Sequence, residues 1–130
     1  MLKIILDIPP SVNHCYVNVP RKGRRLTEAA KNWKLIAGYE ATQAKRKQGW
    51  VYPAKDEKIV ILLWAFWPDN RPHDMGNLHK LLPDALENVL YENDRNVLIR
   101  DMDFSLDKKR PRIEVVVAYK KELDDNETQH

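Results

Sequence analysis

The chain has 130 residues, of which 43% are hydrophobic and 32% charged, and this balance predicts one soluble globular domain. Its net charge of +3 is too small to indicate a nucleic-acid partner by itself. The one cysteine, Cys15, excludes an internal disulfide and fits a reducing compartment. The longest apolar run, residues 59–67, is half as long as a membrane span, and the N-terminal segment is too short and too acidic for a signal peptide. We therefore expect a cytoplasmic protein without a membrane partner.

The first predicted elements are short strands. Residues 2–8 are rich in β-branched side chains and predict a strand, which Pro9-Pro10 ends because neither proline can donate to a ladder. A turn at residues 11–13 and a short strand at residues 15–19 follow. Residues 20–25 then predict a mobile basic loop.

A long helix is predicted next. Thr27 is a suitable N-cap, the helix extends to about Gln48, and Gly49 is a suitable C-cap. Gly38 in its interior indicates close packing, since glycine otherwise weakens a helix. The predicted buried residues include Trp33, Ile36, Ala37, Tyr39 and Ala44.

The centre of the chain predicts a buried strand and a second helix. Residues 58–67 are almost continuously apolar, which is typical of a central strand covered on both faces. Pro83 interrupts the following helical pattern, so a kink is expected there. That pattern consists of apolar residues at helical spacing, namely Leu78, Leu81, Leu82, Ala85, Leu86, Val89 and Leu90.

The last third predicts two more strands, at residues 97–105 and 112–120, joined by a hairpin-like loop. The predicted fold is therefore a small α/β domain, with a mixed sheet of about four to five strands and two main helices. We expect residues 1–120 to form this domain and residues 121–130 to be a frayed polar tail.

Polar groups around the second helix suggest a metal site. Phosphodiester hydrolysis needs an activated water, and carboxylates that hold Mg²⁺ can provide it. Asp74 and Asp94 supply carboxylates, and Lys80 supplies a positive charge toward a phosphate. Spacing alone favours the simpler interpretation, in which these are solvated turn and cap residues. The histidines and Cys15 have no zinc-ligand spacing.

Three compact basic runs, residues 21–25, 45–47 and 108–110, are the candidate DNA contacts. Such runs are by default solvated loop charges, but their clustering at loop tips makes phosphate binding an equal alternative. The four tryptophans could stack on bases, although core packing is the favoured interpretation for all of them.

Four segments together resemble the RusA family of Holliday junction resolvases. They are IPPSVNHCY, the basic turn followed by RRLTEAAKNW, RPHDMGNLHKLLPDAL, and YENDRNV, and they cover most of residues 4–119. The resemblance implies a small mixed-sheet α/β fold, a homodimer and dependence on Mg²⁺ or Mn²⁺. It also implies paired symmetric nicks in four-way DNA junctions.

The resemblance assigns roles to individual residues. Asp74 and Asp94 match metal-binding aspartates, and Lys80 matches a functional lysine. Asn77 and Asp84 match polar positions of the family's helix. The expected DNA contacts are Arg21, Lys22, Arg24, Arg25, Arg71 and Lys80.

Gly76 departs from the family pattern, because it stands where the family has a further metal-binding aspartate. Asn93 and Asn96 replace two other residues of the pattern. The chain could be a natural relative with weakened or no activity, or it could use His73 or Asp84 as a substitute ligand. It could also be an inactivated copy, since Asp and Gly codons differ by one base.

Three functions follow from these observations. The first is a metal-dependent endonuclease that cuts branched DNA in recombination, repair or phage DNA processing. The second is a dimeric junction-binding protein that does not cut. The third is a small α/β domain with an incidental acidic turn.

Overall fold

A computed structural model describes residues 1–73 and 75–128; for Val12, Asn13, Asn77 and residues 125–128 it describes the backbone alone. The elements, in chain order, are β1 (Leu2–Leu6), α1 (Val12–Cys15), β2 (Tyr16–Val19), β3 (Gly23–Leu26), α2 (Glu28–Gln48), β4 (Ile59–Trp67), α3 (Met75–Leu86), a 3₁₀ turn (Asp94–Asn96), β5 (Val97–Leu106), β6 (Arg112–Tyr119) and α4 (Lys120–Thr128).

The main sheet has four strands in the order β1-β6-β4-β5. β4 and β5 are parallel, whereas β6 is antiparallel to both of its neighbours, so the sheet is mixed as the sequence predicts. The predicted hairpin between the last two strands is wrong, because β4 lies between β5 and β6. Their connection passes the end of β4, where the backbone N–H of Asp107 donates to the carbonyl of Trp67 (2.8 Å).

β4 is a central strand, as predicted, but only one of its faces is fully buried. Ile61, Leu63 and Ala65 face the core, while the alternate residues Trp64 and Phe66 are only half-buried. The prediction that both faces are covered is therefore wrong for this part of the strand. The core itself lies between the sheet and the two long helices.

The predicted ends of α2 are confirmed. The Thr27 hydroxyl oxygen accepts a hydrogen bond from the N–H of Ala30 (3.3 Å), and Gly49 has the left-handed conformation of a C-cap (φ 67°). Trp33, Ala37 and Ala44 are buried as predicted. Ile36 and Tyr39 are instead 56% and 62% exposed, because α2 buries a narrow stripe of mostly small residues.

α3 ends at Leu86, four residues before the apolar pattern ends. Asn88 has a positive φ of 67°, which ends the regular helix, yet Leu90 is still buried. The pattern thus predicts the core correctly and the helix length wrongly. The helix continues through Pro83, whose carbonyl accepts hydrogen bonds from the N–H of Glu87 (3.1 Å) and the hydroxyl of Tyr91.

Three further local predictions are wrong. Residues 12 and 13 of the predicted turn lie in α1, which begins at Val12. The basic loop is part of a β-hairpin, since β2 and β3 pair in a separate two-stranded sheet. Residues 121–128 of the tail lie in α4 instead of forming a frayed end. Among the described residues, no helix has both the length and the apolar character to cross a membrane.

Candidate functional site

Asp74 lies outside the described residues, but the loop that leads to it is well defined. Asp69 accepts a hydrogen bond from the N–H of Arg71 (3.0 Å), and its Oδ1 lies 2.8 Å from Nε2 of His73. The hydrogen bond from His73, followed by that from Arg71, holds the pKa of Asp69 below its usual value. His73 also stacks on Trp67, with ring centroids 4.3 Å apart. The end of β4 thus fixes residues 69–73.

An exposed stripe on α3 carries three positions that the resemblance singles out. Gly76, Lys80 and Asp84 are all exposed and are spaced four residues apart, so they lie along one side of the helix. Asp84 forms an ion pair with Lys34 of α2. It is also two turns, or about 12 Å, from Gly76 along the helix. The side chain of Asn77 is not described.

A contact that the sequence did not suggest joins α3 to β5. Nε2 of His79 lies 2.7 Å from Oδ1 of Asp101, and both side chains are partly exposed. This pair fixes the helix half that carries Lys80 against the edge strand. No spacing rule links residues 79 and 101, since they meet only through the packing of α3 on β5.

Asp94 begins the 3₁₀ turn that precedes β5, with Asn93 as its N-cap. It lies close enough to Tyr91 to affect that hydroxyl: burial, and then the charges of Asp94, Glu87 and Asp84, raise the pKa of Tyr91. These three carboxylates make the potential negative at this end of α3.

The start of α3 and Asp94 lie at opposite ends of the sheet. Met75 lines a cavity together with Trp67, the last residue of β4. Asp94 immediately precedes β5, whose first residue, Val97, pairs with the first residue of β4. The eight steps along β4 span about 26 Å, and the twelve residues of α3 span about 18 Å. The start of α3 and Asp94 are therefore on the order of 20 Å apart.

The described residues therefore do not fit a metal ion within one chain. Mg²⁺ binds oxygen ligands at about 2 Å, so its ligands must converge on one point. Among the side chains that the structure describes, no three of His, Cys, Asp or Glu are grouped closely enough to hold an ion. Gly76 provides no carboxylate, and Asp94 is far from the start of α3.

The basic hairpin presents an exposed cationic surface. Arg21, Lys22, Arg24 and Arg25 are all exposed, and the Arg24 guanidinium lies 4.5 Å from the centroid of the Tyr16 ring. Arg21 at φ 66° and Gly23 at φ 75° form the tight turn between the strands. A preformed hairpin loses less entropy than a mobile loop when it binds.

The structure thus combines a small mixed α/β fold, exposed Lys80 and Asp84 on α3, and an exposed cationic hairpin. The family model of endodeoxyribonuclease RusA matches residues 7–118. The chain therefore belongs to the RusA family, which comprises Holliday junction resolving endonucleases. No curated protein matches the chain.

Proposed function

We propose that this chain is a metal-dependent endonuclease that resolves four-way and other branched DNA by paired symmetric nicks. The family match over residues 7–118 is the observation that carries the proposal. The test is to measure nicking of a four-way junction in the presence of Mg²⁺ or Mn²⁺, and binding of the same junction in the presence of a chelator. DNA recombination and repair are the processes that supply such substrates.

The proposed roles of individual residues are those that the family resemblance implies. Asp74 and Asp94 would hold the metal ion, which would supply charge stabilisation and an activated water. Lys80 contributes a positive charge toward the phosphate, and its exposure on α3 leaves it accessible to DNA. Arg71 and the four cations of the hairpin contact the DNA backbone.

We also propose a homodimer, for two reasons. Two symmetric cuts require two sites, which a two-fold dimer of one chain provides. In addition, the described start of α3 and Asp94 are on the order of 20 Å apart in one chain, which favours a site that takes one ligand from a partner chain. The outer face of α2 carries exposed Leu35, Ile36 and Tyr39, a patch suited to burial in such an interface.

A second candidate function is junction binding without cleavage. Gly76 favours it, because a site that lacks one carboxylate binds Mg²⁺ poorly. The exposed hairpin cations do not depend on that carboxylate, so DNA affinity would be retained. Binding in chelator with no nicking in Mg²⁺ or Mn²⁺ would select this function.

The hairpin makes a quantitative prediction about DNA affinity. Replacement of Arg21, Lys22, Arg24 and Arg25 by Ala should weaken junction binding and flatten its dependence on salt. Each lost phosphate contact removes about one unit of slope in a plot of log affinity against log salt concentration. Fluorescence anisotropy at several salt concentrations measures this slope.

The control variant replaces Lys45, Arg46 and Lys47, the basic run in the last turn of α2, by Ala. It removes three cations of the second basic run from a different surface, so a smaller change of slope than in the hairpin variant assigns the phosphate contacts to the hairpin. Equal slopes for the parent and the hairpin variant would remove the hairpin from the DNA interface.

A further inference from the structure

A cavity of about 370 Å³ lies beside the start of α3. The loop at residues 69–73 forms one wall, and Phe104 and Leu106 of β5 form the opposite wall. Its size is in the range of small-ligand sites. Of its lining residues, only Arg71 has a role proposed above, as a contact to the DNA backbone.

Phe104 is the unusual residue of this cavity. Its partner in the sheet, Ala65, is fully buried in the core, whereas Phe104 is 63% exposed. The register between β4 and β5 shifts after Leu63 of β4, where Met102 of β5 is skipped. This bulge places Phe104 and Leu106 on the core-side face of β5. A large aromatic ring is thus presented to solvent at the wall of a cavity.

The remaining walls combine a flat aromatic surface with hydrogen-bonding groups. The stacked rings of Trp67 and His73 contribute the aromatic part. Asp69 and Asn70 contribute the polar part, and Arg71 lies in the same lining. A matching ligand is flat, has polar atoms on its edge and is attached to an anion.

We propose that this cavity binds one unpaired nucleobase of branched DNA, with Phe104 as the stacking surface. A base supplies a π-face for Phe104 and a hydrogen-bonding edge for Asn70, and its phosphate suits Arg71. The proposal rests on branched DNA being the substrate, because such DNA offers bases that are free of their stack. It makes Phe104 a binding residue beside the start of α3, the helix that carries Lys80.

A binding experiment in chelator tests this without any need for cleavage. The probe is a DNA duplex with one unpaired 2-aminopurine, compared with the same duplex in which that base is paired. Phe104→Ala should bind the unpaired-base duplex about 10-fold more weakly, as expected for the loss of one base stack, and the paired duplex as the parent does. Phe104→Trp should retain the parent's affinity for both.

Leu98→Ala is the matched control. Leu98 is on the same strand and is 42% exposed, but it pairs with Val60 and so faces the other side of the sheet. It should leave both affinities unchanged. Phe104→Leu keeps an apolar side chain without a ring, so it should behave like Phe104→Ala. It replaces Phe104→Ala in the experiment if that variant does not fold.

Two results would overturn the proposal. In the first, Phe104→Ala weakens binding of both duplexes equally. In the second, the parent binds the unpaired-base duplex and the paired duplex with equal affinity. Neither depends on whether the chain nicks junctions. If the parent prefers the unpaired base and Phe104 is needed for this preference, but no junction is cut, the base-binding proposal is supported and the nuclease function is contradicted.

Discussion

Gly76→Asp is expected to raise metal-dependent nicking of a four-way junction by about tenfold or more. It restores a carboxylate on the exposed side of α3, one turn before Lys80. Loss of groups that merely support metal ligands costs about 10- to 100-fold in metal affinity, so a direct ligand should matter at least as much. An Asp in the first turn also suits the positive end of the helix dipole better than Gly does.

Metal binding provides a second measurement for Gly76→Asp. A ligand that binds only the folded state raises the melting temperature, so Mn²⁺ should stabilise the variant more than the parent. Junction affinity in chelator should stay the same, because the hairpin cations are unchanged. Asp74→Asn in the Gly76→Asp background should abolish both gains.

A different result is that Gly76→Asp nicks no faster than the parent, while Asp74→Asn in the parent loses activity. Another residue would then act as the third ligand. His73 is the first residue to test, although it is already held by Asp69 and Trp67. Asp84 is the second, although it pairs with Lys34.

Mixed dimers are expected to regain activity that neither parent dimer has. In the Gly76→Asp background, Asp74→Asn and Asp94→Asn should each be inactive alone. If each site takes one aspartate from each chain, a dimer of the two variants has one site with both replacements and one intact site. Nicking should then recover to roughly half, by counting sites in a two-fold dimer.

The same mixture gives no recovery if both aspartates act within one chain, because each site then carries one replacement. Co-expression with two different tags isolates the mixed dimer. The assay also requires a species of twice the 15.3 kDa chain mass in sedimentation. Leu35→Asp should shift that species toward the monomer, because it places a charge in the proposed α2 interface.

The elements that depend on local chemistry could be predicted from the sequence. Thr27 and Gly49 mark the ends of α2 because capping is a short-range property. The position of β6 between β1 and β4 could not be predicted, because strand order depends on how the whole sheet assembles. Likewise, the pattern at residues 87–90 continues in phase although the backbone turns at Asn88.

The candidate site was only partly accessible to the same reasoning. The sequence identifies Asp94 and Lys80 by resemblance, but it cannot show that Asp94 lies at the opposite end of β4 from Met75. That relation depends on the parallel pairing of β4 and β5. The exposure of Phe104 depends on the bulge in the same pairing, and the only trace in the sequence is a break in alternation near Met102.

Cleavage of a labelled four-way junction by the Gly76→Asp variant, with Mg²⁺ or Mn²⁺, tests the central claim most directly. The proposed function predicts paired nicks at symmetric positions in opposing strands, with the intact duplex arms left uncut. Binding of the junction in chelator, measured in parallel, should exceed binding of a duplex of equal length. Absence of nicking by both the variant and the parent, together with equal binding of junction and duplex, would contradict it.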